Sequence, residues 1–159
     1  MIVAALAVPF AVGLLLMALR RFVSGPVAGI AGAAAMSVSL VLLALVWEGR
    51  DVVAGEVDEP WIEPLGARLH LGVTALSWPF LLMTALVGVL CCVWLVAADT
   101  APGLVGLVLV ISASSMGVFS SLDLLLFFVF FELALIPMWF VIAWWGSSSS
   151  SSSGADSTR

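Results

Sequence analysis

One ionisable side chain lies well inside an apolar stretch of this chain, and it is an acid. Glu132 follows Leu124-Leu125-Leu126-Phe127-Phe128-Val129-Phe130-Phe131 and precedes Leu133-Ala134-Leu135-Ile136-Pro137. Counted from Ser121 it stands about eleven residues along a helix. At about 1.5 Å per residue that is roughly 16 Å, near the midplane of a hydrocarbon core about 30 Å thick. Inserting a carboxyl there costs on the order of 2.5 kcal/mol or more, so such acids tend to face a bundle interior and mark proton or ion paths. Burial in hydrocarbon favours the neutral acid, and the chemistry open to it is uptake and release of a proton. Five residues on, the ring of Pro137 clashes with the carbonyl of Leu133 and removes one backbone hydrogen bond. A backbone opened beside a carboxylate is a place for water. Glu132 is therefore the candidate proton-relay residue, and Pro137 a helix break beside it. The plainer alternatives stay open: a neutral Glu132 that hydrogen-bonds a neighbouring helix, and an ordinary kink at Pro137.

Other groups offer less. Ser112, Ser114 and Ser115 could line a hydrated path, but serines more often bond their own helix or the next one. Cys91 and Cys92 are adjacent inside an apolar run, a spacing that fits neither a disulfide framework nor a metal site, and they read as packing residues. His70 has no partner histidine and lies in a polar stretch. No Gly-rich nucleotide loop, iron–sulfur spacing or nucleophile–base set is present, so neither redox nor hydrolytic chemistry is expected of this chain alone.

These groups sit in a chain of 159 residues that is 64% hydrophobic and 9% charged, where a soluble domain carries about 25% charged residues. Roughly 100 apolar residues suffice for about five spans of about 20 residues. The predicted class is an all-α membrane protein with about five transmembrane helices. Five arginines, no lysine and a net charge of −5 leave nothing to neutralise a phosphate backbone, which excludes nucleic-acid binding.

The predicted spans run over Ile2 to Leu19, Val27 to Trp47, about Leu76 to Ala98, about Leu104 to Phe119, and from Ser121 to about Trp145. The first is followed, not preceded, by its positive charges Arg20 and Arg21, which favours an uncleaved anchor over a signal peptide. The second opens with small residues, Ala28 to Ala35, that let another helix approach closely. Glu48 to Gly72 is an acidic extramembrane loop. The alternation Ala67-Arg68-Leu69-His70-Leu71 suggests a surface hairpin within it, and Trp61 and Trp78 suit interfacial anchors. Asp99-Thr100-Ala101-Pro102-Gly103 is a tight turn. Ser120 and Ser121 resemble an N-cap, with Asp123 as the acid of the first turn. After Gly146 seven serines and Gly-Ala-Asp-Ser-Thr-Arg form a segment expected to be a disordered tail. Arg20 and Arg21 mark the first connection as cytoplasmic, which puts the amino terminus and the acidic loop outside and the serine tail in the cytoplasm.

Met116-Gly117-Val118-Phe119, the run from Ser121 to Glu132, Leu135-Ile136-Pro137-Met138 and Trp145-Gly146 closely resemble subunit M of proton-pumping NADH:quinone oxidoreductase, respiratory complex I. The antiporter-like subunits L and N and the subunits of Mrp-type sodium/proton antiporters share the helix with its glutamate. The Ile-Pro-Met continuation and the terminal Trp-Gly point to M. Leu71-Gly72-Val73-Thr74-Ala75-Leu76-Ser77 is similar to the segment entering the third span, although the family usually has an aspartate where this chain has Thr74.

The resemblance implies the amino-terminal part of an antiporter-like inverted-repeat bundle. Residues 1–103 would hold three helices with the acidic loop at 48–72, residues 104–146 the first two helices of the proton-translocating repeat, and residues 147–159 a tail where the family has a cytoplasmic loop. The chain is accordingly expected to be a fragment or an early-terminated product. The resemblance also implies that Glu132 matches the family's proton-relaying glutamate and that its cationic partner, a lysine, comes from helices absent here. NADH, flavin, iron–sulfur clusters and quinone would belong to other subunits, with no cofactor in this chain. Its expected partners are the other membrane-arm subunits of complex I and the lipid bilayer. The alternative is a cation/proton antiporter subunit of the Mrp type using the same carboxylate.

Overall fold

The computed structural model describes residues 1–46, 53–62 and 67–146, without the side chains of 61, 62, 67 and 145. The expected serine tail and the acidic residues Glu48, Asp51 and Glu63 lie outside the described residues, as does the side chain of Trp61. Five helices and one hairpin follow in the order α1 (Ile2–Ala18), α2 (Gly25–Val46), β1 (Val53–Ile62), β2 (Ala67–Thr74), α3 (Ser77–Ala97), α4 (Pro102–Ser120) and α5 (Leu124–Trp145). Four helices, α2 to α5, are long and apolar enough to cross a bilayer, while α1 is shorter. Its 17 residues reach about 26 Å at about 1.5 Å per residue, the lower end of a spanning length.

Helix ends follow local chemistry. Pro102 occupies the first turn of α4, where its missing N–H removes a donor that would have no partner anyway. The preceding turn carries Asp99 at φ 45°, a left-handed conformation that Asp tolerates better than most residues. At the other end of α4 the expected cap is corrected. Ser120 and Ser121 donate back to Met116 O at 2.9 Å and Gly117 O at 2.7 Å, closing α4. Asp123 itself caps α5, its Oδ1 accepting from Leu125 N at 2.8 Å and Leu126 N at 3.2 Å.

Packing is by small residues, as suits helices whose alternative neighbour is an equally apolar lipid tail. α1 crosses α4 at Gly13 and Gly106, where a Cβ on either would meet the other's carbonyl oxygen, at 2.9 and 2.8 Å. The small-residue start of α2 faces protein, as expected: Ala28, Gly29, Gly32 and Ala35 are buried, and a Cβ on Gly32 would stand 3.0 Å from Cys92 Sγ of α3. Buried Ser39 of α2 donates to Ala5 O of α1 at 2.7 Å. Trp78, expected as an interfacial anchor, is half-buried and its indole donates to Leu43 O at 3.2 Å, tying α3 to α2. α4 touches all four other helices and is the centre of the bundle.

The hairpin is antiparallel, with Val53 opposite Thr74, Asp58 opposite His70 and Ile62 opposite Ala67. Its pattern matches the alternation in the sequence, since Leu71 and Val73 are buried while Arg68 is exposed. Two cross-strand contacts hold the polar face, Arg68 Nε to Asp58 Oδ1 at 2.6 Å and His70 Nε2 to Glu56 Oε1 at 2.7 Å. The Arg68 guanidinium holds the Asp58 carboxyl below its ordinary range. β2 is also fastened to the connection between α4 and α5: Leu122 N donates to His70 O at 2.9 Å, and Leu71 bridges Ser121. The hairpin thus covers the end of the bundle where α1 begins and α5 starts, whereas Arg20 and Arg21 mark the opposite end.

Candidate functional site

α5 is apolar all round, so its own pattern does not say which side packs. The structure answers this with one stripe, Leu126, Phe130, Leu133 and Pro137, spaced at four, three and four residues, the period of one helix face. Phe130 presses on Gly117 of α4, where a Cβ would come within 2.6 Å of Phe130 Cε1. Leu126 is buried and belongs to the core of the bundle.

Glu132 stands on the opposite side, on a face that also exposes Phe128, Leu135 and Ile136. Because α5 begins at Leu124 rather than Ser121, the carboxyl is about 12 Å along the axis of a helix about 33 Å long. It remains well within the span. Among the described residues its carboxylate has neither an ion-pair nor a hydrogen-bond partner. The acid therefore does not face the interior of these five helices; it faces away from them. Only 11% of the apolar window of α5 is buried, against 56% for α4. The helix carrying the acid is thus also the helix with the most surface left uncovered.

Pro137 lies inside α5 and is buried, and the helix runs unbroken from Leu124 to Trp145. Pro137 has no N–H to offer the Leu133 carbonyl, and the neighbouring turns continue on either side of it. The structure does not bring the serines of α4 to the acid. Ser115 donates back to Ile111 O at 2.9 Å, and Ser114 is fully buried with an Oγ that has no hydrogen-bond partner among the described residues. Cys92 is buried against α2 and Cys91 is exposed on α3. Among the described residues no group of three or more His, Cys, Asp and Glu could hold a metal ion.

Two features escaped the sequence reading. Pro9 lies inside α1, also buried, and the Ser39 to Ala5 bond links α2 to α1. The first was legible as a proline within an apolar run; the second had no signal, because a lone serine does not announce a partner 34 residues away.

No family model matches the chain. Known relatives do. NADH-quinone oxidoreductase subunit M of Escherichia coli K12 is 40% identical over 91 residues, which is 55% of this chain and 18% of the relative. NAD(P)H-quinone oxidoreductase chain 4 1 of Picosynechococcus sp. is 33% identical over 108 residues, 65% of this chain and 20% of the relative. F(420)H(2) dehydrogenase subunit M of Methanosarcina mazei is 32% identical over 84 residues, 52% of this chain and 17% of the relative. In three dimensions the chain superposes on a chain of respiratory complex I from Thermus thermophilus with bound NADH. The TM-score is 0.74 at 26% identity, covering 89% of this chain and 28% of the other. These matches agree with the resemblance read from residues 116–146, and they extend over 17–28% of the length of the proteins matched.

Proposed function

We propose that this chain, a relative in sequence and fold of subunit M of NADH-quinone oxidoreductase, is part of a membrane-arm subunit of a proton-translocating NADH:quinone oxidoreductase. In this role Glu132 is one half of a proton relay. The observation that carries the reading is the placement of Glu132: a carboxylate deep in a membrane span, without a partner among the described residues, on the uncovered face of α5. An intramembrane acid is costly and is retained where it pairs or relays charge. The covering surface is supplied by further helices of the same subunit, and a positive side chain on one of them faces the acid.

The proton passes between Glu132 and that partner as the relay runs. Electron transfer from NADH to quinone takes place in other subunits, where NADH, flavin, iron–sulfur clusters and quinone are bound, and it drives this exchange from a distance. This chain supplies no redox group and is not expected to act alone. The amino terminus and hairpin face outward, with Arg20 and Arg21 on the cytoplasmic side, as the bias of arginine toward cytoplasmic connections requires.

The test is complementation. The gene that encodes this chain, placed in a bacterium lacking its own subunit M, should restore NADH-driven, quinone-dependent acidification in inverted membrane vesicles. Sodium-dependent proton antiport that needs neither NADH nor quinone would overturn the reading in favour of an Mrp-type antiporter subunit.

A further inference from the structure

We propose that the cleft at the arginine-bearing end of the bundle seats the head group and glycerol region of an anionic phospholipid. The cleft opens where the end of α1, the start of α4 and the end of α5 diverge, and its volume is about 390 Å³. That is within the range of about 300–1,000 Å³ found for sites that hold small molecules. Its walls divide into two chemistries. Arg20 and Arg21 form one, both exposed and neither with an acidic partner among the described residues. Leu107, Phe140 and Trp144 form the other. Between them lies Gly103 in the first turn of α4, where a Cβ would meet only Arg20 Cδ, at 4.0 Å.

Charge complementarity selects the occupant. A guanidinium matches a phosphate in geometry as well as in charge, and the start of α4 adds the positive end of a helix dipole to the same place. A soluble anion would leave Leu107, Phe140 and Trp144 unused. A zwitterionic lipid would offset the arginines with its own ammonium group. An anionic phospholipid satisfies both walls, with its phosphate at Arg20 and Arg21 and its upper chain on the aromatic wall. Basic pockets between membrane helices recognise acidic head groups on this principle. The inference needs only that the helices span a bilayer and does not depend on the proton-relay reading.

The test uses this chain reconstituted in phosphatidylcholine vesicles. Increasing fractions of brominated phosphatidylglycerol, or of brominated phosphatidylcholine as reference, quench tryptophan, and the Trp144 signal is obtained by subtracting a Trp144→Phe variant. An arginine near the surface is worth about fivefold in affinity for acidic lipid. With two, brominated phosphatidylglycerol is expected to quench Trp144 at a roughly 25-fold lower mole fraction than the phosphatidylcholine reference. The paired substitutions Arg20→Gln and Arg21→Gln should erase the preference. Gly103→Leu should weaken it as well, because it fills the cleft without changing charge, and the open space at Gly103 lets that variant fold even where the arginine pair does not. Equal quenching by the two lipids would overturn the proposal. So would a preference that survives Gly103→Leu unchanged, which assigns it to diffuse surface charge, or one abolished by excess glycerol phosphate, which assigns the arginines to a soluble anion.

Discussion

Gly117→Ala should loosen the contact that sets the position of α5, and with it Glu132. A Cβ on Gly117 would stand 2.6 Å from Phe130 Cε1 and nearer still to Cδ1, whereas ordinary contact begins at 3.4 Å, so the ring must retreat by about 0.8 Å or more. Overpacking of this kind costs about 1–3 kcal/mol. Opposing it is the higher helix propensity of alanine, about 1 kcal/mol over glycine. The steric term wins while the ring is present, leaving a net loss of up to about 2 kcal/mol. In a Phe130→Ala background the conflicting atoms Cγ, Cδ1 and Cε1 are gone, and the same substitution should become neutral or stabilising by up to about 1 kcal/mol. Reversible unfolding in mixed micelles, run on wild type, both single variants and the double variant, gives the coupling energy directly. A cost for Gly117→Ala that is the same in both backgrounds, within about 0.5 kcal/mol, would refute the packing of α5 on α4 described above.

Two buried serines should respond oppositely in the same unfolding assay. Ser39→Ala loses the bond to Ala5 O and should cost about 0.6 kcal/mol, at most about 1.7, whereas Ser114→Ala removes an unpartnered hydroxyl and should be neutral or stabilising. Asp123→Ala removes the cap of α5 and should destabilise it by about 1 kcal/mol, with faster amide exchange at Leu125 and Leu126 as the local readout. The Asp58 carboxyl is held below its ordinary value by Arg68, so its contribution to the hairpin is present above the usual carboxylate range. It should be lost as the pH falls through the lowered folded value. Amide exchange across β1 and β2 should show that acid-side loss and its absence in Asp58→Asn, with high salt weakening the effect in the native chain.

Much of the fold was legible because a bilayer imposes its own lengths. Apolar runs ended by Arg20 and Arg21, by Glu48 and by Asp99-Thr100-Ala101-Pro102-Gly103 fixed the helices to within a few residues, and the alternation at 67–71 revealed the hairpin. The cap of α5 was misplaced by two or three residues because Ser120, Ser121 and Asp123 are all competent capping residues, and only the backbone shows which one turns out of the helix. The face of Glu132 was not legible at all. α5 is apolar on every side, so no periodicity separates the surface that packs on α4 from the surface that looks away. Gly117 in α4 makes that choice by leaving room for Phe130. Pro137 was legible as a residue without an N–H, whereas the continuity of the helix through it depends on packing along Leu126, Phe130 and Leu133 that the sequence does not display.

The central claim is that Glu132 carries protons rather than only holding helices together. Substituting Glu132→Gln in this protein keeps the shape and hydrogen-bonding capacity of the side chain while removing its titratable proton. Protons translocated per NADH oxidised should be measured in vesicles containing the assembled complex, at matched amounts of this subunit. The account predicts that the complex still assembles and that proton translocation falls sharply. Undiminished translocation in fully assembled Glu132→Gln complex would contradict it and leave Glu132 a structural residue.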